Sequence, residues 1–384
     1  MIFGAQPDWV RVFTKEVPVS VSGISAFRVL PYPILSLLLA SVSCAPKPAE
    51  PSPSPLTRSY LMGFSGFPPK PDLTAAITSI QMWSQRADAA IFHIEPPWKL
   101  LLDGGDIAAH ISTEHAGLAQ FYRSRNLKIF VTFDATDGLG RDKDSRELRE
   151  AGRSIAEPAI QQLYRTYVTA WVRAIKPDYI GLGAETNLIR LAAPRPVYDG
   201  LKAMLNATAA DVRAVAPDVP LYTTVQVDVA WGRLQGTSQY IGVEEDFRDF
   251  PFAQVLGLST YPYLANFATP AQVPTDYLSR LKNGRTIPLF IAEGGWTSAA
   301  VTNVPSSPEQ QAAYVRRMGE LLDNANAFAF LQLNFTDIDT SAFPVPPGYE
   351  QILSLFTRIG FVDSELRPKP ALAVWDSLFA RRRQ

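Results

Sequence analysis

Cysteine is almost absent: Cys44 is the only one among 384 residues. No intrachain disulfide can form, so the fold must rest on its core and not on covalent staples. Histidine is scarce too, with only His93, His110 and His115. They leave few ligands for a zinc site, and the five-residue gap between His110 and His115 matches no common metal-helix spacing. No metal or cofactor is expected. An excess of one charge is also missing: 36 Lys+Arg stand against 37 Asp+Glu, a net charge of −1. That excludes a bulk basic field for nucleic acid, and the short run Arg381-Arg382-Arg383 does not change it. The segment Gly138-Leu139-Gly140-Arg141 lacks the further glycine and the Lys-Ser/Thr pair of a phosphate loop, so nucleotide chemistry is not expected.

What is present is a hydrophobic share of 47%, enough for a full core, and 32 prolines. Residues 29–43 form an apolar, uncharged run after Arg28. Fifteen residues fall short of the roughly 20 that span a bilayer but suit the apolar region of an export signal. The run ends in small residues directly before Cys44. This resembles a bacterial lipoprotein signal, in which the cysteine is lipidated and becomes the mature N-terminus; an ordinary cleaved signal with an incidental cysteine is the alternative. Five of residues 45–58 are proline, so this stretch reads as an extended tether. The expected organisation is a signal peptide over 1–43, a Pro-rich linker over 44–58 and one domain over 59–384. The expected location is the bacterial cell envelope, lipid-anchored, as a monomer.

Within the domain, short apolar runs alternate with longer amphipathic stretches. The pattern predicts eight strands, at 59–64, 87–94, 128–133, 179–183, 221–227, 255–260, 289–292 and 327–333. Helical patterns lie between most of them, at 160–175, 197–215 and 308–324. In the first, Leu163, Tyr167, Ala170, Trp171 and Ala174 share one face by spacings of three and four. Ser307-Pro308-Glu309-Gln310 carries an N-cap and a proline at the first helical position. Strands alternating with helices imply a parallel sheet. Eight such units in about 320 residues fit a closed (β/α)8 TIM barrel.

Active sites of such barrels lie at the C-terminal strand ends. Two apolar runs there stop at a glutamate: Gly181-Leu182-Gly183-Ala184-Glu185 after strand 4, and Leu289-Phe290-Ile291-Ala292-Glu293 after strand 7. A carboxylate ending a core strand is costly unless paired. It could be a structural end, tied to Arg190 or another base. Two of them converging on the barrel mouth are instead what glycosidic cleavage requires: one protonates the leaving oxygen, the other attacks or activates water.

Glu at the ends of strands 4 and 7 resembles the clan A, or 4/7, retaining glycoside hydrolases. Three more segments resemble that clan: Leu258-Ser259-Thr260-Tyr261-Pro262-Tyr263 in strand 6, Ser307 to Tyr314 in the helix after strand 7, and Gly360-Phe361-Val362-Asp363 with Arg367-Pro368-Lys369-Pro370-Ala371 before the last helix. The resemblance spans about 59–379. It implies Glu185 as general acid and base, Glu293 as nucleophile, and Tyr261 as the residue that orients Glu293. It also implies a poly- or oligosaccharide substrate and no cofactor. Glu185 would be kept protonated by an apolar wall and by the charge of Glu293. Two departures stand out: Ala184 replaces the asparagine that often precedes the acid, and Asn334-Phe335 stands where strand 8 often carries tryptophan. They motivate an alternative, a carbohydrate-binding lipoprotein without turnover.

Other polar or aromatic residues at the strand ends are candidates for holding sugar. His93 ends strand 2, Asp134 strand 3, and Gln226 and Asp228 strand 5. Asn187 follows Glu185, and Tyr263 follows Tyr261. Trp231 and Trp296 could stack on a pyranose ring, as could Phe335, with Asn334 beside it. Trp98, Trp171 and Trp375 read as packing.

Overall fold

Eight parallel strands close into a barrel with helices outside it, a (β/α)8 architecture. In the computed structural model, residues 57–384 are described, apart from 237, 238, 302, 303, 344 and 346. The expected signal peptide over 1–43, the expected lipidation site Cys44 and most of the expected linker lie outside the described residues.

The barrel strands are β1 (Leu61–Ser65), β2 (Ala89–Ile94), β3 (Lys128–Phe133), β4 (Tyr179–Gly181), β5 (Leu221–Gln226), β6 (Val255–Thr260), β7 (Leu289–Gly294) and β8 (Ala329–Gln332). Each pairs in parallel with its neighbour in sequence, and β8 returns to β1. All eight lie on the predicted runs, with no end shifted by more than two residues. Around them lie α1 (Leu73–Ser84), α2 (Gly117–Ser124), α3 (Pro158–Ile175), α4 (Arg195–Val215), α5 (Pro308–Ala325) and α6 (Pro370–Phe379). The predicted cap of α5 forms: the Gln310 N–H donates to Ser307 Oγ at 3.3 Å.

Alternation along the strands divides the core in two. Ala89, Ile91, Phe130, Tyr222, Phe290, Ala292 and Leu331 fill the barrel interior. Their neighbours in sequence, such as Ile129, Val131 and Ile291, face the helices together with Trp83, Trp171 and Trp375. Gly181 makes the interior possible at one point. A Cβ there would come within 2.4 Å of the Tyr222 ring, whose hydroxyl donates to the Val131 carbonyl at 2.8 Å. On α3 the buried stripe runs through Ile160, Tyr164, Tyr167, Val168, Trp171, Val172 and Ile175. It is rotated from the predicted face, because Tyr164 and Val168 reach the barrel while Ala174 is exposed.

Candidate active site

The barrel mouth holds a cavity of about 260 Å³. Glu185 and Glu293 both line it, as do Tyr261, His93, Asp134 and Gln226. Local backbone explains how the two glutamates arrive. Strict alternation along β7 puts Phe290 and Ala292 inside, and would turn Glu293 toward the helices. A bulge between Ile291 and Glu293 breaks the register with β6, so that Glu293 pairs with Ser259. Such a bulge re-aims a side chain, and here it aims Glu293 into the mouth. Glu185 sits in the left-handed region, with φ of 46°. That conformation is costly for a residue with a Cβ and persists where the surroundings hold it. The holding contact is its own N–H, which donates to Thr224 Oγ1 at 2.8 Å.

Ser259, at the end of β6, links the pair. Its Oγ lies 2.6 Å from Glu185 Oε1 and 2.9 Å from Glu293 Oε1. A serine hydroxyl carries one proton. Both contacts are hydrogen bonds at once only when one of the carboxyls supplies a second proton. Glu293 is pushed up to about 7, first by burial and then by the charge of Glu185, against the opposing pull of Arg141 and of the Ser259 hydrogen bond. Tyr261 donates to Glu293 Oε1 at 3.4 Å. His93 Nδ1 is 3.5 Å from Glu293 Oε2. Burial, with Arg141 second, holds that imidazole down at about 4, so it is neutral at ordinary pH.

The surroundings of Glu185 correct one expectation. In place of an apolar wall there is a guanidinium: Arg141 donates through Nε to Glu185 Oε2 at 2.9 Å and through Nη1 to Asp134 Oδ2. Arg141 belongs to a hairpin in which Thr136–Asp137 pairs with Gly140–Asp144. The hairpin is pinned by Tyr349 and Arg149, which both donate to Asp137. Arg190, the base that could have tied Glu185 into a purely structural strand end, is engaged instead with Asp246 and Glu245.

Several predicted sugar contacts prove structural. Asn187 is buried and clamps the end of β5: its Nδ2 donates to the Gln226 carbonyl and its Oδ1 accepts from the Gln226 N–H. Gln226 lines the cavity, with its Oε1 accepting from the Val229 N–H and its Nε2 donating to Asp228. Asp228 is fully buried and accepts from the Tyr277 hydroxyl. Trp231 lies off the cavity, stacked on Tyr277 with its Nε1 donating to the Tyr277 carbonyl. Tyr263 is buried and donates to the Leu355 carbonyl. Trp296 is fully buried against Tyr314 and donates to Ser306. Asn334 donates to the Phe356 carbonyl. Phe335 packs edge-on to Phe64 at 5.2 Å. Each ends or follows a strand as predicted, but the protein's own packing and hydrogen bonds engage it.

Three residues of the site escape sequence reasoning. Arg141 lies in a loop whose local sequence suggests only an incomplete phosphate motif. Ser259 lies within the strand-6 segment that resembles the clan, but there the resemblance points to Tyr261 and not to the serine. Glu95 follows β2 in Ile94-Glu95-Pro96-Pro97 and lines the cavity. Burial, with the charge of Asp134 second, pushes its carboxyl up to about 8. Its place one residue past a barrel strand is the signal that could have found it. Together the groups can hold one proton between two closely set carboxyls, beside neutral Ser259, Tyr261 and His93 and the Arg141 cation. That set suits proton donation and nucleophilic attack on a small ligand.

No protein-family model matches the chain, and no curated protein sequence matches it. Among solved structures it is similar to the exo-beta-1,4-mannosidase Op5Man5 from Opitutaceae bacterium strain TAV5, with a TM-score of 0.61 at 15% identity. That match covers 85% of this chain and 61% of the mannosidase, so the chain spans under two thirds of that protein's length. It is similar to GH5_18 from Streptomyces cattleya, solved with GlcNAc, with a TM-score of 0.59 at 16% identity over 84% of this chain and 80% of that one. It is also similar to the virulence factor SghA from Agrobacterium tumefaciens, with a TM-score of 0.58 at 12% identity over 84% and 97%. At such identities the likeness is one of fold: the chain is a (β/α)8 barrel.

Proposed function

We propose that the chain is a retaining glycoside hydrolase of the 4/7 type, with Glu293 as nucleophile and Glu185 as general acid and then base. The observation that carries this reading is the Ser259 bridge. One hydroxyl contacts both carboxyls at 2.6 Å and 2.9 Å, so the two Oε1 atoms are no more than about 5.5 Å apart. Retaining pairs stand roughly 5–5.5 Å apart, whereas inverting pairs need roughly 6.5–9.5 Å to admit water. The fold likeness to barrels that include a mannosidase supports an O-glycoside as substrate.

Attack needs Glu293 without a proton and Glu185 with one. Ser259 is set to move it: the hydroxyl gives its proton to Glu185 Oε1 and takes the one held by Glu293. Glu293 then attacks the anomeric carbon. The bond to the leaving oxygen breaks as Glu185 protonates it, and a glycosyl-enzyme forms. Glu185, now without its proton, takes one from water, which attacks the same carbon and frees Glu293. Tyr261 and His93, both in contact with Glu293, hold its carboxyl in place.

A second reading, a carbohydrate-binding protein without turnover, is favoured by Arg141 seated on Glu185 and by Ala184 before it. One experiment decides. In the purified protein, Glu293→Ala abolishes turnover and azide restores it with inverted product. Glu185→Gln spares activated aryl glycosides and loses natural ones. Wild-type turnover in Glu293→Ala ends the assignment, and sugar binding without turnover in the wild type moves the protein to the second reading. We also propose that Cys44 carries a lipid anchor, with residues 45–58 holding the barrel off the surface of a bacterial envelope membrane.

A further inference from the structure

We propose that the leaving group of the substrate is apolar, an aryl or alkyl group, and not a further sugar. This rests on the glycosidase reading and adds the leaving-group class to it. The observation is a division of the cavity wall. Its titratable groups His93, Glu95, Asp134, Glu185 and Glu293 stand at or just past strand ends, with Arg141 reaching in from the hairpin beside them. Its rim comes from the loops and is apolar. The hairpin contributes Leu139, the segment after β4 Leu188, that after β5 Leu234, that after β6 Leu264, and that after β8 Ile352 and Phe356. Five different loops thus each bring an apolar side chain to one opening. Leu234 remains 39% exposed, and apolar side chains left in water around polar groups mark a surface meant to be covered.

A second sugar would fit this rim poorly. Its hydroxyls would lose water against side chains that can neither donate nor accept, and each unpaired group is costly. Chains of sugar are commonly held on indole faces, and none of the described tryptophans lines the cavity. Trp296 is fully buried and Trp231 is stacked on Tyr277 elsewhere. The cavity volume of about 260 Å³ falls just below the usual range of small-molecule sites, roughly 300–1,000 Å³. That leaves room for one sugar ring and a compact group, with the rim to clasp whatever projects. Arg141 does not point to a substrate carboxylate, because Asp134 and Glu185 already take up its charge.

The test uses the purified protein on methyl, butyl, hexyl and octyl β-glucosides and β-mannosides, with cellobiose and mannobiose beside them. Alkyl leaving groups are nearly equal in acidity, so a trend along the series reads contact with the rim and not chemistry. The expected result is a kcat/KM that rises with chain length, by up to about fourfold per methylene the rim covers, and that exceeds the disaccharide value. Leu234→Asn with Leu264→Asn should lower the octyl-to-methyl ratio at least tenfold. A flat series, or faster cleavage of the disaccharides, overturns the proposal. If no glycoside of either kind is cleaved, the glycosidase reading fails by itself. Calorimetry on the same protein then still decides the rim: octyl glycoside bound at least tenfold tighter than methyl keeps it, and equal binding overturns it.

Discussion

Arg141 donates through Nε to Glu185 Oε2 at 2.9 Å, and the same guanidinium also holds Asp134. One buried cation thus joins the ends of β3 and β4 and stands within electrostatic reach of Glu293, whose proton affinity it lowers. The carboxyl pair takes up its first proton near pH 7, and the proposed reaction needs that proton for the leaving oxygen. Activity should therefore fall as pH rises through about 7. Arg141→Met removes a charge that opposes protonation, so this basic limb should move to higher pH by about one unit. The same change strips two buried carboxylates of their partner, and stability at neutral pH should fall by about 3 kcal/mol. A kcat/KM profile against pH and a urea titration read the two effects; an unmoved basic limb would contradict the electrostatic account.

Ser259→Ala should act on the same limb for a different reason. The Ser259 hydrogen bond also lowers the pKa of Glu293, so its loss shifts the limb upward. It also removes the path between the two Oε1 atoms. Cleavage of glycosides with poor leaving groups should drop by about tenfold to a hundredfold, consistent with lost acid catalysis, while activated aryl glycosides lose less. Equal losses on both substrate types would exclude proton transfer through this hydroxyl.

Glu95 and Glu293 should set the pH dependence of stability. Both carboxyls are raised in the folded protein, to about 8 and about 7. Between the ordinary carboxylate range and those values the folded chain holds protons that the unfolded chain has released. Stability therefore falls as pH rises from about 4.5 to about 8, by a few kcal/mol. Glu95→Gln keeps the neutral shape and should flatten that slope, leaving the variant more stable than wild type at pH 8. Thermal unfolding measured at pH 5 and pH 8 checks this, and an unchanged slope would refute it.

Phe335 is predicted to matter for the fold and not for ligand. Its ring is fully buried against Phe64. Phe335→Ala should cost about 3–5 kcal/mol of stability. Phe335→Leu should restore most of it with KM unchanged. A raised KM in a stable Phe335→Leu protein would return this residue to the site.

For the anchor, Cys44→Ser should move the protein from the membrane fraction to the soluble one, or leave an unprocessed precursor. A single acyl chain holds weakly, so stable attachment needs more than one. Wild-type protein free of lipid by mass spectrometry would overturn the proposal.

The alternation of apolar runs with amphipathic stretches determined the barrel, because strand and helix periodicities are properties of neighbouring residues. The same local pattern placed Glu185 and Glu293 at the ends of β4 and β7. It could not say that Glu293 faces the mouth: by alternation alone it would face the helices, and only the bulge against β6 turns it inward. Nor could it separate strand-end residues that reach the cavity from those buried in the packing around it. Trp296 and Phe335 looked like sugar platforms because they follow strands, yet segments distant in sequence bury both. Arg141 meets Glu185 across 44 residues of sequence, and Ser259 meets it across 74. Such contacts depend on how loops fold back and on strand register, which are set by packing between elements and leave no periodic trace in the chain.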